Sequence, residues 1–194
     1  MTTVNVTEQD LHWQAALAAH WGIDAGLERL DGEYDLNFLA RTAAGAGYVL
    51  KVMRRGCEAW LVDMQMKAFE HITARAPDLP CPQVVRAKGG EALLEIEDAA
   101  GEARLVWVLS ELQGKCYADS APKSDALIHQ VGEVLGGSAK ALADFDHAGL
   151  ERDFKWDLMR ADWVADHFGC ISVPARRALI GDVLAAFEAV KPHL

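Results

Sequence analysis

Lys51 lies inside the run Gly47-Tyr48-Val49-Leu50-Lys51-Val52-Met53, whose other members are nearly all aromatic, β-branched or apolar. Such a run reads as a strand meant for burial, so a cation within it calls for a reason. One reason is chemical: an ammonium is a compact charge that can hold the α- and β-phosphates of a nucleotide, while an acidic residue of the next helix holds the lysine in place. The other is structural, a snorkelling or edge-strand lysine. Competing chemistries lack their residues. There is no G-x-S-x-G and no P-loop pattern. The 7 histidines form no H-E-x-x-H pair, and the 4 cysteines (Cys57, Cys81, Cys116 and Cys170) are scattered without a C-x-x-C.

The elements that must position Lys51 follow from periodicity and turn residues. Thr7 and Asp10 resemble an N-cap pair, and Trp13, Leu17, His20 and Trp21 recur at helical spacing before Gly22. Leu27 to Leu30 and Asn37 to Thr42 read as strands around the turn-rich segment Asp31 to Asp35; with the Lys51 strand they make an antiparallel meander. Glu58 to Arg75 returns to helix, with Val62, Met66, Phe69 and Ile72 on one stripe, until Pro77, Pro80 and Pro82 stop it. Gln83 to Ala87, Ala92 to Glu97 and Arg104 to Ser110 read as further strands.

After Gly114 the pattern is helical throughout. A helix from about Ser124 carries Ile128, Val131, Leu135, Leu142 and Phe145 on one face. Its Gly132, Gly136 and Gly137 predict close packing, since each lowers helix propensity by roughly 1 kcal/mol against alanine. Trp156 to Phe168 reads as another helix, with the Trp156 indole in the core and the Asp157 carboxylate capping or bonding to a neighbouring helix, and Val173-Pro174 opens a last one that ends at Lys191-Pro192. The expected class is α+β, with the division near residue 112.

The 194 residues carry 19 basic and 29 acidic side chains, a net charge of -10. That balance argues against nucleic acid or an anionic membrane as partner, since both are bound through clustered Lys and Arg. No apolar run approaches the roughly 20 residues of a membrane span. The N-terminus MTTVNVTEQD is neither a signal peptide nor a basic transit sequence, so the expectation is a cytoplasmic protein with reduced thiols.

Four stretches, in order, resemble the aminoglycoside/choline-kinase-like phosphotransferases, and most closely their hydroxylysine-kinase-like branch. They are Gly32-Glu33-Tyr34-Asp35-Leu36-Asn37-Phe38, Tyr48-Val49-Leu50-Lys51-Val52, Leu109-Ser110-Glu111-Leu112-Gln113-Gly114, and Trp156-Asp157-Leu158 following Phe145-Asp146-His147. The resemblance implies a protein-kinase-like small lobe over residues 1–112, an antiparallel sheet of about five strands with helices. Residues 113–194 would be the helical start of the large lobe. It also implies a nucleotide site. Gly32, Glu33 and Asn37 would belong to the turn above the phosphates, Lys51 would hold them, and Ser110, Glu111 and Leu112 would form the hinge that meets adenine.

The sequence departs from that family in two places. The helix residue that best matches the lysine-pairing glutamate is Gln65, a neutral amide, with Glu58 about two turns earlier as a substitute. Further, the H-G/N-D-x-x-x-x-N loop and the later metal-binding Asp of the family have no counterpart before Leu194. Ile180-Gly181-Asp182 lacks the histidine and has Phe187 where the asparagine belongs. No catalytic residue and no metal ligand is therefore expected in this chain. The reading is the N-terminal portion of an ATP-dependent kinase of amino alcohols or hydroxy amino acids, inactive alone. ATP and Mg²⁺ would serve the complete domain, and the missing C-terminal catalytic region would be a partner alongside nucleotide and substrate. Two alternatives stand. One is the N-terminal module of a class III aminotransferase fusion, with pyridoxal phosphate confined to a downstream domain. The other is a binding or regulatory module without chemistry.

Overall fold

Six short apolar runs separated by turn formers build one antiparallel sheet in the computed structural model, which describes residues 7–152, 154 and 156–193. The strands are β1 (Ala25–Leu30), β2 (Leu36–Thr42), β3 (Gly47–Val52), β4 (Val84–Val85), β5 (Leu94–Glu97) and β6 (Ala103–Ser110). The order is β1-β2-β3-β6-β4, with β5 also paired to β6. The longest strand, β6, is central: β3 lies on one side, and β4 and β5 share the other. The class is α+β, as the sequence predicts. The strand expected over residues 83–87 shrinks to Val84–Val85.

Alternation along the strands gives the sheet two apolar faces. On one, Phe38, Ala40, Leu50, Val52, Val106 and Val108 pack with Trp13, Leu17 and Trp21 of helix α1 (Glu8–Trp21). On the other, Trp107 and Leu109 pack with Val62 and Met66 of helix α2 (Ala59–Arg75), together with Met53. Lys51 belongs to this second face. Helix α1 starts at a capping box, in which the Thr7 hydroxyl accepts from the Asp10 amide while the Asp10 carboxylate accepts from the Thr7 amide. The Trp21 indole N–H donates to Val85 O at 3.0 Å, tying the helix end to β4.

The β5–β6 hairpin is secured by a buried ion pair. Asp98 accepts from the amides of Ala100 (3.0 Å) and Glu102 (3.1 Å) and from Arg104 Nη1 (3.2 Å), and Arg104 Nε donates to Met53 O at 2.7 Å. Burial would raise the Asp98 carboxyl, but its hydrogen bonds to Glu102, Ala100, Arg104 and Arg55 outweigh that and hold it below the usual carboxylate range.

The chain divides into two units, Met1–Gly149 and Leu150–Leu194. The first includes helix α3 (Asp125–Ala141), N-capped by the Ser124 hydroxyl. Of its three glycines, Gly137 meets a neighbour, with a Cβ there falling 3.0 Å from Leu79, while Gly132 and Gly136 face open space. Close packing therefore accounts for one of them. Ile128 and Leu135 of the expected apolar face are exposed. The second unit has a 3₁₀ segment over Leu158–Cys170, broken at Arg160, and helix α4 (Pro174–Val190). Asp157 caps the first, its carboxylate accepting from the Met159 amide at 3.0 Å. Trp156, expected in a core, is 66% exposed: the second unit buries no side chain of either helix. No helix among the described residues is long and apolar enough to cross a membrane.

Candidate nucleotide site

Register sets the site. Asn37 of β2, Lys51 of β3 and Trp107 of β6 are consecutive cross-strand partners, so the three side chains form a row on the α2 face. Lys51 Nζ donates to Asn37 Oδ1 at 2.8 Å. The ammonium also stands 5.9 Å from the centroid of the fully buried Trp107 ring, within cation–π range. Burial pushes the Lys51 amine below the usual lysine range, and the Asp35 carboxylate opposes this by favouring the charged form.

The turn before β2 is bonded to this row through Asn37. The Asn37 side-chain amide donates to Asp35 O at 3.3 Å, and Asp35 Oδ1 accepts from the Arg54 amide at 2.8 Å. The turn is thereby tied to the chain just beyond β3. Gly32 leaves the room this needs, since a Cβ there would fall 2.6 Å from both Asn37 Nδ2 and Asp35 O. Glu33 is exposed. It faces Tyr34, whose hydroxyl it raises above the usual tyrosine range by accepting its hydrogen bond.

The two lysine-positioning candidates of α2 stand elsewhere. Gln65 Nε2 donates to Leu61 O at 3.1 Å, within its own helix. Glu58 is the exposed N-cap residue of α2 and makes no side-chain capping bond. The other acids of the helix are also engaged: Asp63 with Lys67 (2.8 Å) and His147 (3.1 Å), and Glu70 with Arg86 (3.8 Å). The structure thus brings Lys51 to Asn37 and to neither Gln65 nor Glu58.

At the end of β6, Ser110 exchanges two hydrogen bonds with Gln83, one through its amide and one through its hydroxyl, each 2.8 Å. The Glu111 amide donates to Gly47 O at 3.0 Å, and its carboxylate accepts from Arg41 (2.5 Å) and Gln113 (3.0 Å). That side chain lies against Gly47, in the space a Cβ would take. Leu112 is half exposed, beyond the last strand bond.

Trp107 escaped the sequence reading, and Asp35 was read only as a member of the turn. Trp107 forms the floor beneath Lys51, and Asp35 anchors the turn to Arg54. Asp35 carried a signal, an acid in a turn two residues before Asn37. Trp107 carried none until β6 is aligned against β3. Among the described residues no group of three or more His, Cys, Asp or Glu is placed to hold a metal ion.

No protein-family model matches the chain, and no curated protein is significantly similar to it. Solved structures are similar in fold. One is an amicoumacin kinase, hAmiN, in complex with AMP-PNP, Ca²⁺ and Ami, with a TM-score of 0.57 and 18% identity over 78% of this chain and 46% of that one. Another is a microcompartment-associated aminopropanol kinase, with a TM-score of 0.58 and 16% identity over 76% of this chain and 45% of that one. At these identities the likeness shows the fold alone: a kinase-like antiparallel sheet with helices. The chain spans a little under half the length of either structure.

Proposed function

We propose that this chain is the N-terminal portion of an ATP-dependent phosphotransferase acting on a small amino alcohol or hydroxy amino acid. The observation that carries this reading is Lys51. It is a half-buried ammonium on the third strand of a kinase-like sheet, presented on the face that carries α2 and held by one neutral partner. A lysine ammonium has three donors. With one given to Asn37, two remain for phosphate oxygens. ATP, when bound, would supply the phosphoryl group. Lys51 would hold its phosphates beneath the Gly32–Asn37 turn, and Ser110 to Leu112 would meet the adenine edge. Because the Glu111 amide is already given to Gly47, the Leu112 amide is the hinge donor to expect there.

The donor set fits the nucleotide and does not fit its metal. Among the described residues no group of three or more His, Cys, Asp or Glu is placed to hold a metal ion; on this reading the metal ligands and the residue that activates the acceptor hydroxyl would come from further chain. The exposed apolar side chains of the second unit, among them Leu158, Leu179, Val183 and Val190, support this, since a finished domain buries such stripes. Residues 1–112 would be the small lobe and 113–194 the start of the large one. A second reading, a binding module without chemistry, is favoured by one observation: no acid of α2 reaches Lys51. Nothing in the fold favours an aminotransferase parent.

Calorimetry with Mg-ATP tests the reading. Wild type should bind and Lys51→Ala should bind at least about tenfold more weakly, a loss of about 1.4 kcal/mol. Indistinguishable titrations of the two proteins, bound or unbound, overturn it.

A further inference from the structure

The protein-kinase pattern holds the phosphate lysine by an ion pair to a helix glutamate. Here every carboxylate of α2 is engaged elsewhere or lies at the exposed start of the helix, and Gln65 is turned onto Leu61 O. The ammonium meets an amide of the neighbouring strand instead. The Asn37 amide has both ends committed: its Nδ2 donates to Asp35 O, which leaves Oδ1 as the end that faces Lys51.

We infer that Asn37 is the positioning residue of Lys51, and that the site uses a neutral acceptor so that the lysine charge is left free for an anionic ligand. This rests on the nucleotide-site reading only for the identity of the anion. The partner is a cross-strand neighbour fixed by the β2–β3 register, so the lysine is held without any movement of α2. Two further groups bear on it, one of them charged. The Asp35 carboxylate favours the ammonium but is itself bound to the Arg54 amide, and the Trp107 ring offers only its π face. A helix carboxylate would both orient and neutralise the lysine. Asn37 orients it alone.

The two roles separate in the variants. Asn37→Asp keeps the shape and adds a counter-charge, so the Lys51 titration midpoint should rise while ADP binding weakens. Asn37→Ala removes the acceptor, so the midpoint should fall, and binding should again weaken by about tenfold, as for a lost charge-assisted hydrogen bond. Gln65→Ala should change neither. The midpoint is read on the 194-residue chain from the pH profile of trace acetylation at Lys51 by peptide mass spectrometry, and binding by calorimetry with ADP. Circular dichroism checks folding, and the near-isosteric Asn37→Asp keeps the test open if Asn37→Ala unfolds. Midpoints that ignore Asn37 or follow Gln65 overturn the assignment, as does an Asn37→Asp variant that binds ADP more tightly. If wild type takes up no ADP while Asn37 variants still move the midpoint, the nucleotide reading fails and the positioning role stands.

Discussion

Replacing Gly32 with alanine would press one methyl group into the turn that holds Asn37. The new Cβ would lie 2.6 Å from Asn37 Nδ2 and 2.6 Å from Asp35 O, against about 3.4 Å for an ordinary contact, a shortfall of about 0.8 Å at each. A swing of the Asn37 side chain relieves only the first. The second is backbone, and Asp35 is tied through its carboxylate to the Arg54 amide at 2.8 Å. Overpacking of this kind costs about 1–3 kcal/mol, and an exposed turn that can yield belongs in the lower half, about 1–2 kcal/mol. For a chain of this size each kcal/mol lowers the melting temperature by about 2–4 °C, so a drop of about 2–8 °C is expected. The Lys51 midpoint should fall as well, because its acceptor is displaced. Gly26→Ala is the matched control. A Cβ at that β1 position meets no atom within 4 Å, so it should be neutral, or stabilising by up to about 1 kcal/mol through the unfolded state. Calorimetric melts of both variants and acetylation profiles at Lys51 decide the matter. If Gly32→Ala melts with wild type and keeps the wild-type midpoint, or if Gly26→Ala falls as far, the steric argument is refuted.

Two further predictions concern what holds the sheet in shape. The Asp98 carboxyl titrates below its unfolded value, so its contribution is full above the unfolded pKa of about 3.9 and is lost as pH falls through the lower folded value. Wild type should therefore lose stability on acidification more steeply than Asp98→Asn, and urea melts from pH 6 to pH 2.5 with parallel slopes would contradict this. Trp21→Phe removes the donor to Val85 O and should cost about 1–2 kcal/mol; an unchanged urea midpoint would show that this bond does not anchor α1 to β4.

Local signals in the sequence went a long way toward the fold. The Thr7–Asp10 box and the turn formers between apolar runs each act over a few residues, and each element they predict is present. The errors lie where distant chain decides. The two glycines of α3 at 132 and 136 face open space, and the Trp156 indole is exposed, because neither outcome depends on neighbours in sequence. The same holds within the site. Lys51 was visible as a cation in an apolar strand. A kinase pattern places its partner one helix later, whereas the acceptor sits 14 residues earlier on the adjacent strand.

What fixes that acceptor is the core on the other side of the sheet. Side chains alternate along a strand, so a one-residue slip of β2 against β3 would exchange the faces of every β2 residue. Phe38 and Ala40, fully buried against the α1 side, would then point toward α2, and Asn37 would enter the core beneath Trp13 and Leu17. Exposing and re-burying a phenylalanine on the wrong face forfeits about 1.5–3 kcal/mol, and an amide left without partners in that core adds about 1–3 kcal/mol. The register is therefore held by apolar residues that never touch the site, and the register places Asn37 opposite Lys51 and Lys51 opposite Trp107. A lysine paired through a helix depends on how that helix is docked. One paired across a strand is set when the sheet forms, and its geometry is as firm as the sheet itself.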